Sequence, residues 1–405
     1  MVTGSIGERI AAYRRRRGLS QATLAGLVGR SESWLSQVER GIRSVDRLSV
    51  LLDLARVLRV EVEALIGRPW QYAPNGGEDL DLIAPMRTHL TRYDRLLGQP
   101  PSQSSSLAEL RGQVAAAHRI YQAARYREVL AALPALLTAV DAARDEGHAT
   151  SHDRREVLLT YVSAYVIASK LLTKLGATDL AMVAADRAAT SALDAGSLTA
   201  RGMAAYQVAC ALLRAGRTDD AEHLAVLMAI QTEAHARSDA PEVVSLAGAL
   251  WLIAAVIAGR RTERSTAMER LDRAEQLAAQ LGHDANHAWT AFGPTNVAIH
   301  RVSVAAELGE AGEALTAAAG VQPDRLGGAL ASRRAQVQLD LAWAQTQRRR
   351  DAEAVLHLLD AERTAPEAVH YNVTVRELIR ELLARQHSPQ TRSLFDLAER
   401  AGVLG

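Results

Sequence analysis

The chain has 405 residues, of which 48% are hydrophobic, 23% charged and 4% aromatic, and its formal net charge is +1. The length allows two domains, and the scarcity of aromatic residues disfavours a large sheet, so we expect an all-α protein. A single cysteine, Cys210, excludes an internal disulfide framework and a structural zinc site built on several thiolates. No signal peptide is visible at the start of the sequence, and we expect a cytoplasmic protein.

Charge is distributed unevenly along the chain. Residues 1–68 hold 12 Arg against 7 acidic residues, whereas residues 69–405 have a net charge of −4. The two parts are therefore expected to have different partners. Only Lys170 and Lys174 among the 47 basic residues are lysine, which we attribute to coding bias and give no functional weight.

Residues 69–106 are rich in Pro, Gly and Ser, a composition typical of a linker. Apolar spacing inside this segment predicts one connecting helix, which Pro85 restricts to starting near that residue. The apolar positions of this helix are Leu80, Ile83, Met86, Leu90, Tyr93 and Leu97.

Five short helices are predicted between residues 6 and 67. Gly18 ends the first, Ser20 is a plausible cap of the second, and Ser31 caps the third. The fifth helix contains Val62, Leu65 and Ile66. Five short helices with a tight turn between the second and the third are the layout of a helix-turn-helix domain, here residues 1–68.

The segment GLSQATLAGLVGRSESWLSQVERG, residues 18–41, resembles the helix-turn-helix core of the XRE, or phage-repressor-like, regulators. The resemblance implies that Gln21 contacts a backbone phosphate and that Arg14 pairs with Glu39. It also implies that the third helix presents a face to the major groove, at Glu32, Ser33, Ser36 and Gln37. Gln37 is the strongest candidate for reading a base, because its amide can both donate to and accept from adenine.

Several other head residues leave two interpretations open. Glu32 either accepts from cytosine or repels phosphate, and Trp34 either packs against the neighbouring helix or stacks on the DNA. The arginines fit phosphate contacts, although an arginine run is also typical of a solvated helix face. The predicted DNA-binding residues are Gln21, Arg30, Ser31, Glu32, Ser33, Trp34, Ser36, Gln37, Arg40 and Arg43.

From Leu107 onward, an Ala/Leu-rich helix, a short turn and an acidic helix start recur at intervals of 40 to 50 residues. This pattern predicts seven helical hairpins in residues 107–405, stacked into a TPR-like superhelix with a concave groove. The turns are expected near Gly176, Gly216, Gly259, Gly309 and Arg349. Each glycine should adopt a left-handed cap, and the Thr or Asp after it should cap the second helix. The apolar run 243–259 falls short of a spanning length, and we interpret it as a buried core helix in a protein without a membrane segment.

In such a superhelix the first helix of each hairpin lines the concave wall, so side chains on these helices are candidates for binding an effector. The segment from His287 to Gly309 differs in composition from its neighbours, and its Trp289 and Phe292 either face a ligand or belong to the core. The candidate effector-binding residues are Tyr165, Tyr206, Trp251, Trp289, Phe292, Asn296, His300 and Tyr371.

An XRE-like head followed by TPR-like hairpins resembles the peptide-responsive RRNPP regulators. That resemblance implies a superhelix that binds a short signalling peptide and repositions paired heads in a homodimer on double-stranded DNA. In that family asparagines of the inner helices hold the peptide backbone, and only Asn286, Asn296 and Asn372 are available here, so a small diffusible metabolite remains an alternative effector.

We therefore expect a sequence-specific, DNA-binding transcriptional regulator with an effector-binding repeat domain. No P-loop, dinucleotide-binding fingerprint or nucleophile elbow is present, and we expect no enzymatic activity, no cofactor and no metal. Two alternatives stay open. In one, the repeats dock another protein and no small effector exists; in the other, the repeats are catalytic and the head only targets them to DNA.

Overall fold

The computed structural model describes residues 5–17, 19–43, 45, 48–58, 60, 65, 78–93, 105–146, 150–385 and 392–404. All regular elements in these ranges are helices, which confirms the predicted all-α class. The chain divides into two compact units, Met1–Ala73 and Pro74–Gly405. We call them the head and the repeat unit.

The described residues of the head form four helices, and the first three begin at serine caps. They are α1 (Ile6–Arg16), α2 (Gln21–Leu27), α3 (Glu32–Glu39) and α4 (Leu48–Leu58). The Ser20 hydroxyl accepts from the N–H of Thr23 at 3.0 Å, and the Ser31 hydroxyl accepts from the N–H of Trp34 at 3.2 Å. Leu65 is buried in the head core, whereas the rest of the predicted fifth helix lies outside the described residues.

One glycine brings α1 against α3. A Cβ on Gly7 would lie 2.0 Å from the carbonyl oxygen of Val38, so no larger residue fits at this position without a backbone shift. The contact holds the two helices together across the head core, which includes Ile10, Leu24 and Leu35.

The repeat unit begins with one helix and continues with seven helix pairs among the described residues, the number that the sequence predicts. The first helix is α5 (Glu78–Leu90). The first four pairs are α6 (Leu107–Gln122) with α7 (Tyr126–Asp145), α8 (Ser151–Lys174) with α9 (Thr178–Asp194), α10 (Leu198–Arg214) with α11 (Thr218–Glu233), and α12 (Pro241–Arg260) with α13 (Arg264–Leu281). The remaining pairs are α14 (Pro294–Glu307) with α15 (Ala311–Ala319), α16 (Ala331–Gln347) with α17 (Asp351–Thr364), and α19 (Val373–Arg385) with α20 (Arg392–Arg400), with the short α18 (Pro366–His370) before the last pair.

Six of these pairs are joined by the same three-residue turn, whose middle residue is left-handed. The middle residues are Ala124, Gly176, Gly216, Thr262, Gly309 and Arg349, with φ between 60° and 80°. Two details of the predicted turns are wrong. Gly259 lies inside α12, which continues to Arg260, and the left-handed turn residue is Thr262. No side chain caps the second helices after these turns, since the Thr or Asp already occupies a helical position.

The connecting helix also differs from the prediction. It begins at Glu78 and contains Pro85 in its interior, instead of starting near Pro85. Met86 and Leu90 are buried in the repeat-unit core, and the Arg87 guanidinium pairs with Asp179 at 2.6 Å. The helix is thus a packed part of the repeat unit, and the side-chain contacts compensate for the amide hydrogen bond that Pro85 cannot make.

Two described helices, Ser151–Lys174 and Pro241–Arg260, are long and apolar enough to cross a membrane by length and composition alone. However, 72% and 83% of their apolar windows are buried inside the repeat unit. For Pro241–Arg260 this agrees with the predicted core helix.

The stack of hairpins closes on itself. Helix α6 of the first hairpin contacts α16 of the sixth, and the backbone N–H of Arg127 donates to the Glu367 carboxylate at 2.9 Å. One hydrophobic cluster runs from Leu110 in the first hairpin to Ala401 after the last. Closure turns the expected groove into a cavity surrounded by the first helices of the hairpins.

Candidate DNA-binding surface and central cavity

The head is organised around the carboxylate of Glu39 at the end of α3. Arg14 donates to it twice, from Nε at 2.6 Å and from Nη2 at 2.9 Å, which confirms the pair implied by the family resemblance. Gln21 donates its side-chain N–H to the same carboxylate at 2.7 Å. Burial alone would raise the pKa of Glu39, but the hydrogen bonds from Arg14 and Gln21 outweigh it and hold that pKa below its ordinary value. A charged hub therefore fixes α1, α2 and α3 against one another.

Helix α3 presents polar side chains opposite its buried Leu35 and Val38. Glu32 and Ser33 are exposed, and Gln37 is half-buried. No hydrogen bond between described residues occupies the side-chain amide of Gln37, so both its donor and its acceptor are available to a base edge.

The remaining predicted head residues have different surroundings. Trp34 is half-buried, packs against the head core and lies 5.8 Å below the guanidinium of Arg30, as the packing interpretation of this residue expects. Arg30, Arg40 and Arg43 are exposed, and Arg40 also donates to the backbone carbonyl of Ser36 at 3.2 Å. These arginines remain candidates for phosphate contacts.

Gln21 differs in part from its expected role. One N–H of its amide is directed to Glu39, so only the second N–H can reach a phosphate. The sequence motif does not reveal this contact, because Gln21 and Glu39 are 18 positions apart.

A cavity of about 200 Å³ lies at the centre of the repeat unit. It is lined mainly by the first helices of hairpins one to six and by residues 288–291. Four cationic side chains face it, and no carboxylate is present among the described residues that line it. The four are Lys170, Lys174, Arg214 and Arg333.

The two lysines are candidate site residues that the sequence reasoning missed. Burial, followed by the charge of Arg333, lowers the pKa of Lys170 to about 8. Burial, followed by the charges of Arg214 and Arg333, lowers the pKa of Lys174 to about 8 as well. Lys170 donates to the backbone carbonyl of Trp289 at 3.1 Å, whereas no hydrogen bond or ion pair between described residues involves the Lys174 ammonium.

Neutral polar groups also face the cavity without partners. The hydroxyls of Thr173 and Tyr126 and the amide oxygen of Asn296 are buried and make no hydrogen bond among the described residues. His300 donates from Nδ1 to the Asn296 carbonyl at 2.8 Å, and burial, with the nearby charge of Arg333, lowers its pKa to about 3. His300 is therefore neutral, and the cavity's positive charge comes from its lysines and arginines.

Residues 284–293 form a loop between this cavity and a second, more open one of about 660 Å³. Asn286 exchanges two hydrogen bonds of 2.9 Å with Gln122, and the Trp289 ring stacks on His118 at 4.6 Å. Three non-glycine residues of the loop are left-handed, with φ of 48° at Ala288, 58° at Trp289 and 51° at Ala291. Such backbone conformations cost free energy and persist only where surrounding contacts hold them.

The eight predicted effector-binding residues divide into two groups. Four of them line the cavity, namely Tyr206, Trp289, Asn296 and His300. The other four do not line it: Tyr165, Trp251, Phe292 and Tyr371.

Each of these four has a structural role instead. Tyr165 is fully buried and donates to Asp141 at 2.8 Å, and Trp251 donates to Glu233 at 2.8 Å. Phe292 fills the space beside Gly248, where a Cβ would lie 1.9 Å from its ring. Tyr371 packs against the core near α5 and α7.

Comparisons with known proteins agree with the geometry of the head. A family model described as a helix-turn-helix domain matches residues 5–65. The immunity repressor protein of Bacillus phage phi105 is 33% identical over 111 residues, which are 25% of this chain and 76% of the repressor. The HTH-type transcriptional regulator SinR of Bacillus subtilis is 30% identical over 86 residues, which are 21% of this chain and 78% of SinR.

The crystal structure of Bacillus thuringiensis PlcR in complex with the peptide PapR7 and DNA covers 87% of this chain and 99% of that chain, with a TM-score of 0.35 and 13% identity. The identity and coverage of the two repressor relatives show the family. This chain belongs to the XRE-like helix-turn-helix transcriptional regulators, a family of DNA-binding proteins.

Proposed function

We propose that this chain is a homodimeric regulator that binds a specific operator through α3 and an effector in the central cavity. The single observation that carries the effector site is the cavity itself. It is lined by the first helices of six successive hairpins, and it holds charged and polar groups that make few contacts with one another. A ligand seated there would contact most of the repeat unit at once.

On the DNA side, Gln37 is the base reader, with Glu32, Ser33 and Ser36 beside it on the same helix. Arg30, Arg40 and Arg43 contact phosphates together with the free N–H of Gln21, and Ser31 fixes the start of α3. The free amide of Gln37 and the exposed arginines support these roles.

The repeat unit supplies the dimer contact in this proposal. Leu193 at the end of α9 is 66% exposed, and Leu227 and Ile230 on α11 are 45% and 48% exposed. These helices are the second members of their hairpins and lie away from the cavity. Ligand binding would change the curvature of the repeats and with it the spacing of two heads, which must span about 34 Å to bind successive major grooves.

The test is a titration of the full chain against DNA from its own upstream region, with and without a desalted extract of the producing culture. Release or tightening by a fraction below about 1 kDa is expected. Gln37→Ala serves as the control that weakens operator binding without changing the effector response. Specific DNA binding that no extract fraction alters would contradict the effector site.

The alternative is a docking scaffold without a small effector, and the exposed leucines of α9 and α11 favour it as much as they favour a dimer. Leu193→Ser and Leu227→Ser separate the two cases. Loss of the dimer at micromolar concentration supports the homodimer, whereas an unchanged oligomeric state assigns this surface to another protein.

A further inference from the structure

We infer that the central cavity binds a small organic anion, a carboxylate or phosphate compound of about ten non-hydrogen atoms, between Lys170, Lys174, Arg214 and Arg333. The inference rests on the proposed effector site and names the chemical class of its ligand. The chain contains only two lysines, and both face this cavity.

The charge of the cavity is the first argument. Buried cations in proteins are normally paired with carboxylates, because an unpaired buried charge is costly. The repeat unit follows this rule elsewhere, since Arg270 pairs with Glu222 at 2.6 Å and Arg385 pairs with Asp351 at 3.3 Å. In the cavity Lys170, Lys174 and Arg333 are half-buried and Arg214 is exposed. No lining carboxylate among the described residues pairs with them, so an anion from outside would supply the missing partner.

Asp340, whose charge raises the pKa of Lys174, does not fill this role. Asp340 accepts hydrogen bonds from Ser303 at 2.5 Å and from Gln336 at 2.9 Å, and it does not line the cavity. Burial raises its pKa to about 6, so Asp340 stays mostly ionised at pH 7 and offsets at most one of the four positive charges. The four cations therefore keep an excess of positive charge.

The size of the cavity limits the ligand. An engineered cavity of roughly 150 Å³ holds benzene, so about 200 Å³ fits on the order of ten non-hydrogen atoms. A helix or a peptide of several residues would have to extend beyond this volume. Val166, Leu246 and the ring of Trp289 form apolar wall that suits a short hydrocarbon portion beside the anionic group.

The contact between Lys170 and the Trp289 carbonyl connects the ligand to the loop 284–293. A carboxylate or phosphate oxygen is a stronger acceptor for an ammonium group than a neutral carbonyl oxygen. An anion would compete with this carbonyl for Lys170 and so release one of the contacts that hold three left-handed residues in place. The loop can thereby respond to occupancy of the cavity.

Calorimetric titration of the full chain at pH 7, in buffer free of phosphate and carboxylate, tests the inference. The probes are phthalate and phenyl phosphate as anions of the expected size, with benzamide as the neutral control and benzylamine as the cationic control. At least one anion is expected to bind about tenfold or more tightly than benzamide. Comparison of phthalate with phenyl phosphate distinguishes a carboxylate ligand from a phosphate ligand.

Variants locate the binding site. Lys174→Met and Arg214→Met should each weaken anion binding by about tenfold or more, because each removes a charge-assisted contact. Lys174→Arg retains the charge and should retain much of the binding. Arg201→Met is the matched control, since Arg201 lies on the same helix as Arg214 and is exposed as Arg214 is, but does not line the cavity.

The extract experiment separates failure of this inference from failure of the proposed function. If anion-exchange resin retains the fraction that changes operator affinity, and Lys174→Met no longer responds to it, the anionic class stands. If the active fraction passes through the resin, and no anionic probe binds better than benzamide, the effector site stands and the anionic class is overturned. If neither probes nor extract fractions act, both proposals fail.

Discussion

Replacing Lys174 by methionine should stabilise the ligand-free protein, because the substitution removes a charge that the fold leaves without an ion pair. Burial and the charges of Arg214 and Arg333 lower the pKa of Lys174 from its ordinary 10.5 to about 8, against the opposing charge of Asp340. A fall of that size corresponds to about 3 kcal/mol of unfavourable free energy for the protonated amine in the folded state. Methionine keeps the length of the side chain and its apolar packing.

The effect should depend on pH with a definite sign. The unfolded chain keeps the Lys174 proton up to about pH 10.5, whereas the folded chain loses it above about pH 8. Below pH 8 the folded protein carries the full cost, and between pH 8 and 10.5 the cost shrinks as the pH rises. The advantage of Lys174→Met is therefore largest below pH 8 and disappears near pH 10.5.

Thermal unfolding followed by circular dichroism measures this advantage. At pH 7 we expect the midpoint of Lys174→Met to rise by about 5 °C, and at pH 10.5 we expect no difference from the unaltered chain. Lys174→Arg keeps the charge and should give no gain. An equal or lower midpoint for Lys174→Met at pH 7 would refute an uncompensated ammonium in the cavity.

Three further predictions concern the head and the hairpin turns. Gln37→Ala should weaken operator binding by about 1–3 kcal/mol and leave nonspecific binding and its salt dependence nearly unchanged in mobility-shift titrations; equal losses on both DNAs would argue against base reading. Glu39→Gln should destabilise the head by about 3 kcal/mol, which hydrogen exchange in α3 of the full chain would show as faster exchange; unchanged exchange would contradict the hub. Because the pKa of Glu39 is lowered in the folded head, the unaltered chain should keep this stability above about pH 4.5 and lose it as the pH falls through the folded pKa. Thr262→Gly should stabilise the repeat unit by about 1 kcal/mol, and Gly216→Ala should destabilise it by a similar amount, because both positions have left-handed backbone conformations. Thermal unfolding shifts of the same sign for the two variants would contradict the shared turn.

The parts of the fold that follow local chemistry were predictable from the sequence. Serine caps at residues 20 and 31 depend on local spacing that a short motif retains, whereas the pair between Arg14 and Glu39 was predictable only through the family resemblance. The number of hairpins was predictable for the same reason, because each hairpin repeats one alternation of helix and turn.

Predictions failed where distant packing decides between local options. A glycine can end a helix, yet Gly259 stays helical because its small size lets α12 approach Glu307 of α14, with a Cβ position 3.2 Å from that side chain. Pro85 stays inside a helix because Pro85 itself is exposed while the opposite face of that helix packs on α7 and α9 of the repeat unit. Periodicity assigns an aromatic residue to the first helix of a hairpin, but only the assembled stack determines whether it points to the cavity, as Tyr206 does, or into the core, as Tyr165 does.

The lysines show how a compositional bias can hide a site. Arginine supplies 45 of the 47 basic residues, so a count of residue types alone explains the two lysines by coding bias. Their positions suggest a different interpretation, because both face one cavity and one of them has no partner among the described residues. Arginine keeps its proton at any ordinary pH, whereas a buried lysine can lose it, so lysine lowers the cost of leaving such a cavity empty. An amine-selective reagent would modify few other groups in this chain, so its rate of reaction at Lys170 and Lys174, with and without phthalate, would report directly on the occupancy of the cavity.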